Sequence, residues 1–332
     1  MVALLVAGCT AGPRWRAGGL AGDVRDVTTC GRQWYAVGAG PGAWTGTDGR
    51  HWTAIPVRST SPYGRIAVLY SVACRGDRLV AVGAASGGVH GNPRTATWRG
   101  DAAGLDELAA PFERFGGPNA VSVDRVVAGP AGFLIVGARL NGAAVWYSAD
   151  GGDFTLVEND PALSGGSAAD AVPVPGGWLV VGSTGVAERD PAAWLSADGA
   201  HWRREAVAGD AGDSALDRAV AWRGGVLVVG IRGGRFGAWH RTGASGWRAG
   251  GTFGKLGGTA VPTVTGLAAT PDAVYAAVCD GREYRLWRST DGDHWDEVEL
   301  PAAATRGLLV AADGDRLVIT EGSGGQSYEK SP

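Results

Sequence analysis

An apolar stretch that ends in Val-Gly, or in a close variant of it, recurs along the whole chain. The copies read WYAVG (34–38), LVAVG (79–83), FLIVG (133–137), WLVVG (178–182), VLVVG (226–230), VYAAVC (274–279) and RLVIT (316–320). Short apolar runs bounded by polar turn residues are typical of buried strands. Their spacing matches the roughly 40 to 50 residues of a four-stranded propeller blade. Seven copies therefore predict seven blades.

A second marker follows most of these strands: two aromatic residues on either side of a short polar turn. The pairs are Trp44 and Trp52, Trp146 and Phe154, Trp194 and Trp202, Trp239 and Trp247, and Trp287 and Trp295. Asp-Gly between alternating apolar positions is a strong hairpin signal, because the tight turn needs positive φ. Each marker is predicted to be the hairpin of a blade's outer two strands. The fifth copy, RTGASG, lacks the aspartate, and in the degenerate second copy Ala102 to Phe115 is predicted to be an inserted helical turn.

The best copies, Trp-x-Ser-x-Asp-Gly-x-x-Trp, resemble the Asp-box, or BNR repeat, of sialidases and other β-propellers. The variant here is shortened, because the family pattern places one residue between Asp and Gly, which are adjacent in this chain. The resemblance implies an all-β fold: a seven-bladed β-propeller with four-stranded antiparallel blades. It implies little about chemistry, because this hairpin normally braces the sheet away from the ligand face. His51, His201 and His294, each placed before the closing tryptophan, are interpreted as turn-bracing residues.

The two ends of the chain predict how the ring closes. The seventh repeat offers three strands before Pro332, and WRAGG at 15–19 repeats WRAGG at 247–251, the fourth strand of blade five. The N-terminal segment is therefore expected to complete the last blade, which removes two open sheet edges. Residues 13–332 are predicted to form a single propeller domain, and deletion of residues 13–19 to destabilise all of it.

The first nine residues are apolar and end in Val-Ala-Gly-Cys, which resembles a bacterial lipobox. The resemblance implies a signal segment at 1–9, lipidation of Cys9, and an extracytoplasmic protein attached to the membrane by its lipid alone. The alternative is an accidental apolar tail with a buried cysteine. No other segment approaches the ~18 consecutive apolar residues of a transmembrane helix.

Composition bears on the fold, on nucleic-acid binding and on metal sites. The 57 glycines and 14 tryptophans suit short strands joined by tight turns, and a net charge of -3 gives no basic footprint for nucleic acid. No Cys/His cluster predicts a metal site, and no cofactor is expected. Cys30 and Cys74 occupy nearly the same position in the first two repeats. They are therefore either a disulfide between adjacent blades or two buried free thiols.

Candidate binding residues come from aligning the innermost strands, whose first residues lie at the mouth of the central channel. These positions are charged: Asp26, Asp124, Arg125, Asp170, Asp217, Arg218 and Arg306. They either pair across the seams between blades or bind a ligand through Arg forks and carboxylates. Two long loops on the same face add Tyr63, Arg65, His90 and Arg94, as binding elements or as solvated polar padding.

Enzyme chemistry has weaker support. No nucleophile motif accompanies the histidines, so a hydrolytic triad is not predicted. The sialidase motif Tyr/Phe-Arg-Ile-Pro finds only Tyr63-Gly64-Arg65-Ile66-Ala67, which has an extra glycine and no proline. The favoured prediction is a non-catalytic, monomeric envelope propeller that binds a protein, peptide or glycan through the channel-mouth face. A propeller glycosidase or lyase, and an assembly factor for a membrane complex, are the alternatives.

Overall fold

The computed structural model describes residues 15–87, 93–209, 212–243, 246–322 and 326–330. They form seven sheets around a common axis, which confirms the predicted seven-bladed propeller. The first strand of each sheet lies innermost, lines the channel and contacts the first strand of the next sheet. We number the blades in chain order and call the end where the inner strands begin the channel-mouth face. The opposite end is the hairpin face.

The strands of the first four blades are, from the channel outward, as follows. Blade 1 holds β2 Val24–Cys30, β3 Gln33–Gly38, β4 Gly42–Gly46 and β5 Thr53–Ala54. Blade 2 holds β7 Val68–Arg75, β8 Arg78–Ala85, β9 Arg94–Asp101, β10 Gly104–Leu108 and a parallel fifth strand, β6 Val57–Arg58. Blade 3 holds β11 Ala120–Gly129, β12 Gly132–Arg139, β13 Gly142–Ser148 and β14 Thr155–Val157. Blade 4 holds β15 Gly166–Val174, β16 Gly177–Thr184, β17 Asp190–Ser196 and β18 Arg203–Glu205.

The last three blades follow the same order. Blade 5 holds β19 Ser214–Trp222, β20 Gly225–Arg232, β21 Arg235–Thr242 and β22 Gly246–Phe253. Blade 6 holds β23 Thr263–Ala269, β24 Val274–Cys279, β25 Tyr284–Ser289 and β26 Asp296–Val298. Blade 7 holds β27 Leu308–Asp313, β28 Arg316–Glu321, β29 Gln326–Lys330 and, from the other end of the chain, β1 Trp15–Gly19. Short helical turns lie at Gly64–Ile66, Phe112–Phe115 (α1) and Pro161–Leu163.

The second strand of each blade carries the Val-Gly repeat, because both of its faces are covered by neighbouring blades. Such strands read as continuous apolar runs, and β12 is buried along its whole length. Large aromatic side chains fill the space between the sheets. The fully buried ones include Trp34, Trp98, Trp146, Trp178, Trp194 and Trp239.

The ring closes where β1 pairs with β29, in the register Trp15↔Lys330 to Gly19↔Gln326. The Trp15 indole donates to the Glu299 carbonyl of blade 6 at 3.1 Å. The Gly19 amide donates to the Arg50 carbonyl of blade 1 at 2.9 Å. The predicted closure by the N-terminal strand is confirmed.

The Asp-Gly hairpins are braced by their own side chains. In blade 4, Asp198 accepts hydrogen bonds from the Ala200 and His201 amides and from His201 Nδ1, at 2.8, 2.9 and 2.7 Å. His51 and His294 bind Asp48 and Asp291 in the same way. The three histidines are turn-bracing residues, as predicted.

The prediction of a helical insertion at 102–115 is largely wrong. Gly104–Leu108 form β10, because Leu105 is buried and pairs with Gly100, so tertiary packing overrides the helix preference of this segment. Only Phe112–Phe115 are helical. Blade 2 therefore has its outer hairpin after all.

A disulfide joins Cys30 and Cys74, so the first of the two alternatives for this pair holds. It links the ends of the inner strands of blades 1 and 2, and Cys279 is a buried free thiol. Cys9 lies outside the described residues. None of the helices in the described part of the chain is long and apolar enough to cross a membrane.

Candidate functional site

A β-bulge near the start of the inner strand recurs in blades 1 to 6. A bulge inserts one extra residue into the strand and redirects the side chains around it. The extra residues are Arg25, Tyr70, Asp124, Ala169, Asp217 and Thr265. The residues that follow them are Asp26, Ser71, Arg125, Asp170, Arg218 and Gly266. These repeated bulges explain why polar pairs recur at the start of the inner strands.

The bulges bring four of the predicted residues together. Asp26, Arg125, Asp170 and Arg218 line the channel, a cavity of about 350 Å³. Asp124 and Asp217, the extra residues of their bulges, lie beside them and outside the channel lining. Arg306 is exposed in the connection before β27, where the strand pairs with β28 without a register shift. The predicted ring therefore consists of four channel-lining side chains.

The two channel aspartates link neighbouring blades. Asp26 accepts from the Val27 amide at 3.0 Å and from the Val72 amide of blade 2 at 2.9 Å. Asp170 repeats the arrangement with the amides of Ala171 and, in blade 5, Ala219, at 2.9 and 3.1 Å. Both carboxylates are buried and hydrogen-bonded, as such groups must be to persist. Each carboxylate therefore joins the inner strands of two neighbouring blades.

Arg125 lies between these carboxylates. Its Nη1 is 3.7 Å from Asp26 Oδ1 and its Nε is 3.2 Å from Asp170 Oδ1. Burial acts to lower the pKa of Arg125, but the two aspartates outweigh burial and raise it. Arg125 therefore has its charge matched within the protein.

Arg218 is differently placed. Its Nη1 donates to the backbone carbonyl of Asp217 at 2.8 Å, and its buried Nε, like that of Arg125, has no hydrogen-bond partner among the described residues, but Arg218 forms no ion pair with a carboxylate of those residues. Burial lowers the pKa of Arg218, and the charge of Arg125 lowers it further, against the attraction of three nearby aspartates. An anion that entered the channel mouth would therefore be attracted to Arg218.

Asp124 and Asp217, the extra residues of two β-bulges, both have raised pKa values. Burial raises the pKa of Asp217 to about 6, against the opposing effects of Arg218 and Arg189. Burial also raises the pKa of Asp124, although a hydrogen bond from Ser122 and the charge of Arg218 oppose it. Carboxyl groups with shifted pKa values are more frequent at functional sites, although structural networks also produce them.

Exposed apolar side chains lie on the channel-mouth face, along the part of the ring from blade 2 to the start of blade 6. Every exposed large hydrophobic residue in the described part of the chain lies on this face, in a connection or at the start of an inner strand. They are Tyr63, Ile66, Phe112, Val121, Leu140, Val186 and Val261. We call this set the apolar rim. Exposed apolar groups concentrated on one face, with a polar centre, are characteristic of interaction surfaces.

Arg94 contacts two members of the apolar rim, Tyr63 and Phe112. The Arg94 guanidinium lies 5.4 Å from the Tyr63 ring and 4.4 Å from the Phe112 ring. The Glu107 carboxylate accepts from the Thr60 and Ser61 amides at 2.7 and 2.9 Å and fixes the loop that carries Tyr63.

Arg65 is exposed and donates to the Thr60 carbonyl at 3.2 Å, and His90 lies outside the described residues. The sequence prediction included Tyr63 and its neighbour Arg94, but it missed the other six members of the apolar rim. They could have been recognised in the sequence as apolar residues in connections between strands, where no apolar residue is required. Among the residues that the structure describes, no cluster of His, Cys, Asp and Glu could hold a metal ion.

Comparison with known proteins gives structural likenesses only. The chain matches no family model and no curated protein. It superposes on a structure of YCF48 bound to D1 peptide with a TM-score of 0.61 and 16% identity, over 99% of this chain and 100% of that one. Virginiamycin B lyase from Staphylococcus aureus gives a TM-score of 0.68 and 12% identity, over 96% and 99% of the two chains. These likenesses show the propeller fold.

A third neighbour is the Trypanosoma rangeli sialidase, with a TM-score of 0.51 and 12% identity. The match covers 89% of this chain and 63% of the sialidase. The fold is therefore shared by propellers that bind a peptide and by propellers that act as enzymes. Function has to be argued from the side chains.

Proposed function

We propose that this protein is a non-catalytic binding propeller of the bacterial cell envelope, whose channel-mouth face recognises a protein or peptide partner. One observation carries the proposal: the exposed large hydrophobic residues that the structure describes all lie on that face. Interfaces combine apolar and aromatic contacts with a polar surround and few uncompensated charges. Arg218 adds a central cation for an acidic group of the partner. YCF48, whose fold is similar, has been solved with a peptide bound.

Envelope localisation rests on the lipobox-like segment and on the disulfide, which is typical of oxidising compartments. Lipidation of Cys9 is tested by labelling cells with an alkyne fatty acid. We expect label on the wild-type protein and none on Cys9→Ser. Label that persists in the variant would contradict the anchor.

Site-specific photo-crosslinking tests the binding face. A photoreactive amino acid replaces Leu140 on the apolar rim or Ala200, which is exposed in a hairpin on the opposite face. We expect one discrete crosslinked partner from position 140 and none from position 200. Equal crosslinking from both, or crosslinking from position 200 alone, would contradict the proposal. A partner that belongs to a membrane complex would favour the assembly-factor alternative, and a purified envelope glycan that binds in its place would favour glycan recognition.

The glycosidase or lyase alternative is favoured by one observation, the raised pKa of Asp217 and Asp124. A carboxyl group whose pKa is raised above its ordinary value is better suited to general-acid catalysis than an ordinary one. A screen with fluorogenic glycosides tests this alternative. Turnover that Asp217→Asn or Asp124→Asn abolishes would replace the binding proposal, and absence of turnover would reject the alternative for these substrates.

A further inference from the structure

Five arginines in the described part of the chain lie over an aromatic ring, and Arg94 differs from the rest. The other four also donate to backbone carbonyls; they are Arg75, Arg223, Arg232 and Arg316. Arg94 makes no hydrogen bond and no ion pair with any described residue, and its Nε is buried. Stacking engages the face of a guanidinium and leaves its in-plane N–H donors available. The donors of Arg94 are therefore not used within the described part of the protein.

The Arg94 side chain lies on the channel-mouth face, where three segments of the chain meet. Arg94 begins β9 of blade 2, Tyr63 belongs to the connection that enters this blade, and Phe112 belongs to the connection that leaves it. The guanidinium is 5.4 Å from the Tyr63 ring and 4.4 Å from the Phe112 ring. Arg94 is half-buried, so part of its hydration is lost without an anion of the described residues to replace it. Because an unpaired charge is costly to bury, this arrangement favours the binding of an anion.

Hydrogen bonds hold the turn that carries Tyr63. The Ser61 hydroxyl accepts from the Gly64 amide at 2.8 Å, and the Ser59 hydroxyl donates to the Gly64 carbonyl at 3.0 Å. The indole of Trp98, a buried residue of β9, donates to the Ser59 hydroxyl at 3.3 Å. The turn beside Tyr63 is therefore attached to the same strand that carries Arg94.

The short helix α1, which carries Phe112, is held from its other side. The Trp146 indole of blade 3 donates to the Arg114 carbonyl at 2.6 Å. Phe115 is buried and packs on the same indole, with ring centroids 5.8 Å apart. Phe112 nevertheless remains 48% exposed. Both rings beside Arg94 thus lie on segments fixed by their own contacts, and a fixed first shell is what a binding site needs.

The chemistry around Arg94 indicates which group it binds. The N–H donors of a guanidinium form charge-assisted hydrogen bonds with a carboxylate, whereas a cationic group would be repelled. The surface beside Arg94 is apolar: Tyr63 and Phe112 are partly exposed, and Ile66 follows Tyr63 in the adjoining helical turn. A carboxylate with apolar neighbours therefore fits both the charge and the surroundings.

We propose that Arg94 binds a carboxylate of the peptide partner, and that the partner carries apolar side chains next to this acidic group. The inference rests on the binding face proposed above and specifies the chemistry of the segment that the face accepts. Arg94 is a cation outside the channel, distinct from Arg218 within it. Arginine and tyrosine are enriched among the residues that contribute most to interface affinity. The carboxylate belongs either to an Asp or Glu side chain or to a free C-terminus.

Two phage libraries of random peptides, selected on the purified full chain, provide defined probes. In one library the C-terminus of the peptide is fused to the coat protein, and in the other it is free. We expect enriched peptides with Asp or Glu beside apolar residues in the first library if the carboxylate is a side chain. Enrichment confined to the second library assigns it to a C-terminus. Enriched peptides of the first library that lack an acidic residue would overturn the proposal.

A double-mutant cycle with the best synthetic peptide, measured by fluorescence anisotropy, tests the pairing itself. Conversion of the peptide's carboxylate to an amide should weaken binding to the wild type about tenfold. In Arg94→Gln the same conversion should change affinity less than about twofold, and in Arg94→Lys, which keeps the charge, by an intermediate factor. Arg75→Gln is the matched control, because Arg75 also lies over a ring, that of Phe133, but on the hairpin face. It should retain the full effect.

The outcomes separate this inference from the proposed function. An amide conversion that costs as much affinity in Arg94→Gln as in the wild type would overturn the role of Arg94. If Val121→Asp/Leu140→Asp, which leaves the residues around Arg94 unchanged, still weakens that peptide, the binding face stands and only this inference fails. Failure of both libraries to yield a peptide that depends on the apolar rim would contradict the binding face and this inference together.

Discussion

At the scale of single residues, the channel mouth shows which features the sequence predicts and which it does not. The charged positions Asp26, Arg125, Asp170 and Arg218 are predicted from the alignment of the inner strands. Their roles are not, because a β-bulge interrupts the two-residue alternation and hides which member of each pair faces the channel. Arg306 is assigned to the ring by the same counting, but blade 7 pairs without a bulge, so the residue lies outside.

Asp217 gives a prediction on pH. Its pKa is about 6 in the folded protein against an ordinary 3.8, so the folded state binds the proton more tightly. The resulting stabilisation is fully present below about pH 4 and is lost as the pH rises through about 6. Asp217→Asn is neutral throughout. The free energy of unfolding of the variant minus that of the wild type should therefore rise by about 2 kcal/mol between pH 4 and pH 7, as measured by urea denaturation.

Asp213→Asn is the control, because Arg189 lowers the pKa of Asp213 by a direct hydrogen bond. Its stability difference from the wild type should change little between pH 5 and pH 7. A difference for Asp217→Asn that does not depend on pH would contradict the assigned burial of that carboxyl.

At the scale of elements, the hairpins are well predicted because Asp-Gly and its flanking aromatics act locally. The segment 102–115 is not, because its helix-forming residues give no sign that Leu105 will be buried against β9. The ion pair of Arg241 and Glu205 is also invisible in the sequence, since the two residues come from different blades. Features set by residues that are close in sequence can be predicted, whereas contacts across a seam between two blades cannot.

Loss of a hairpin aspartate should destabilise the whole domain. Asp198→Ala removes two hydrogen bonds from backbone amides and one each from the Ser196 and His201 side chains, and we expect a loss of about 1 kcal/mol in the free energy of unfolding. His201→Ala keeps both amide bonds and should cost less than half as much. Chemical denaturation of both variants is the measurement. Equal losses would show that the histidine, not the turn, supplies the stability.

At the scale of the whole molecule, closure of the ring is readable because the same five residues, WRAGG, occur in blade 5 and at the start of the chain. The apolar rim could not be predicted from the sequence, because most of its residues belong to connections that have no periodicity. Closure also depends on a close approach. A Cβ on Gly18 would lie 2.3 Å from Arg50 Cα, whereas one on Gly19 meets nothing within 4 Å.

Gly18→Ala should therefore strain the contact of β1 with blade 1 and lower the free energy of unfolding by about 1 to 3 kcal/mol. Gly19→Ala, one residue along, should change it by less than about 0.5 kcal/mol. Thermal and urea denaturation of the pair give the comparison. Equal stability of the two variants would contradict the closed ring as described.

The central claim is that the channel-mouth face binds the partner. The most direct measurement is the affinity of the crosslinked partner for two double variants with the same change in charge. Ile66→Asp/Leu140→Asp alters the apolar rim, and Ala131→Asp/Ala200→Asp alters exposed turns of the hairpin face. We predict at least a tenfold loss of affinity for the first and no change for the second. Equal affinities of both variants, or a loss confined to the second, would contradict the claim.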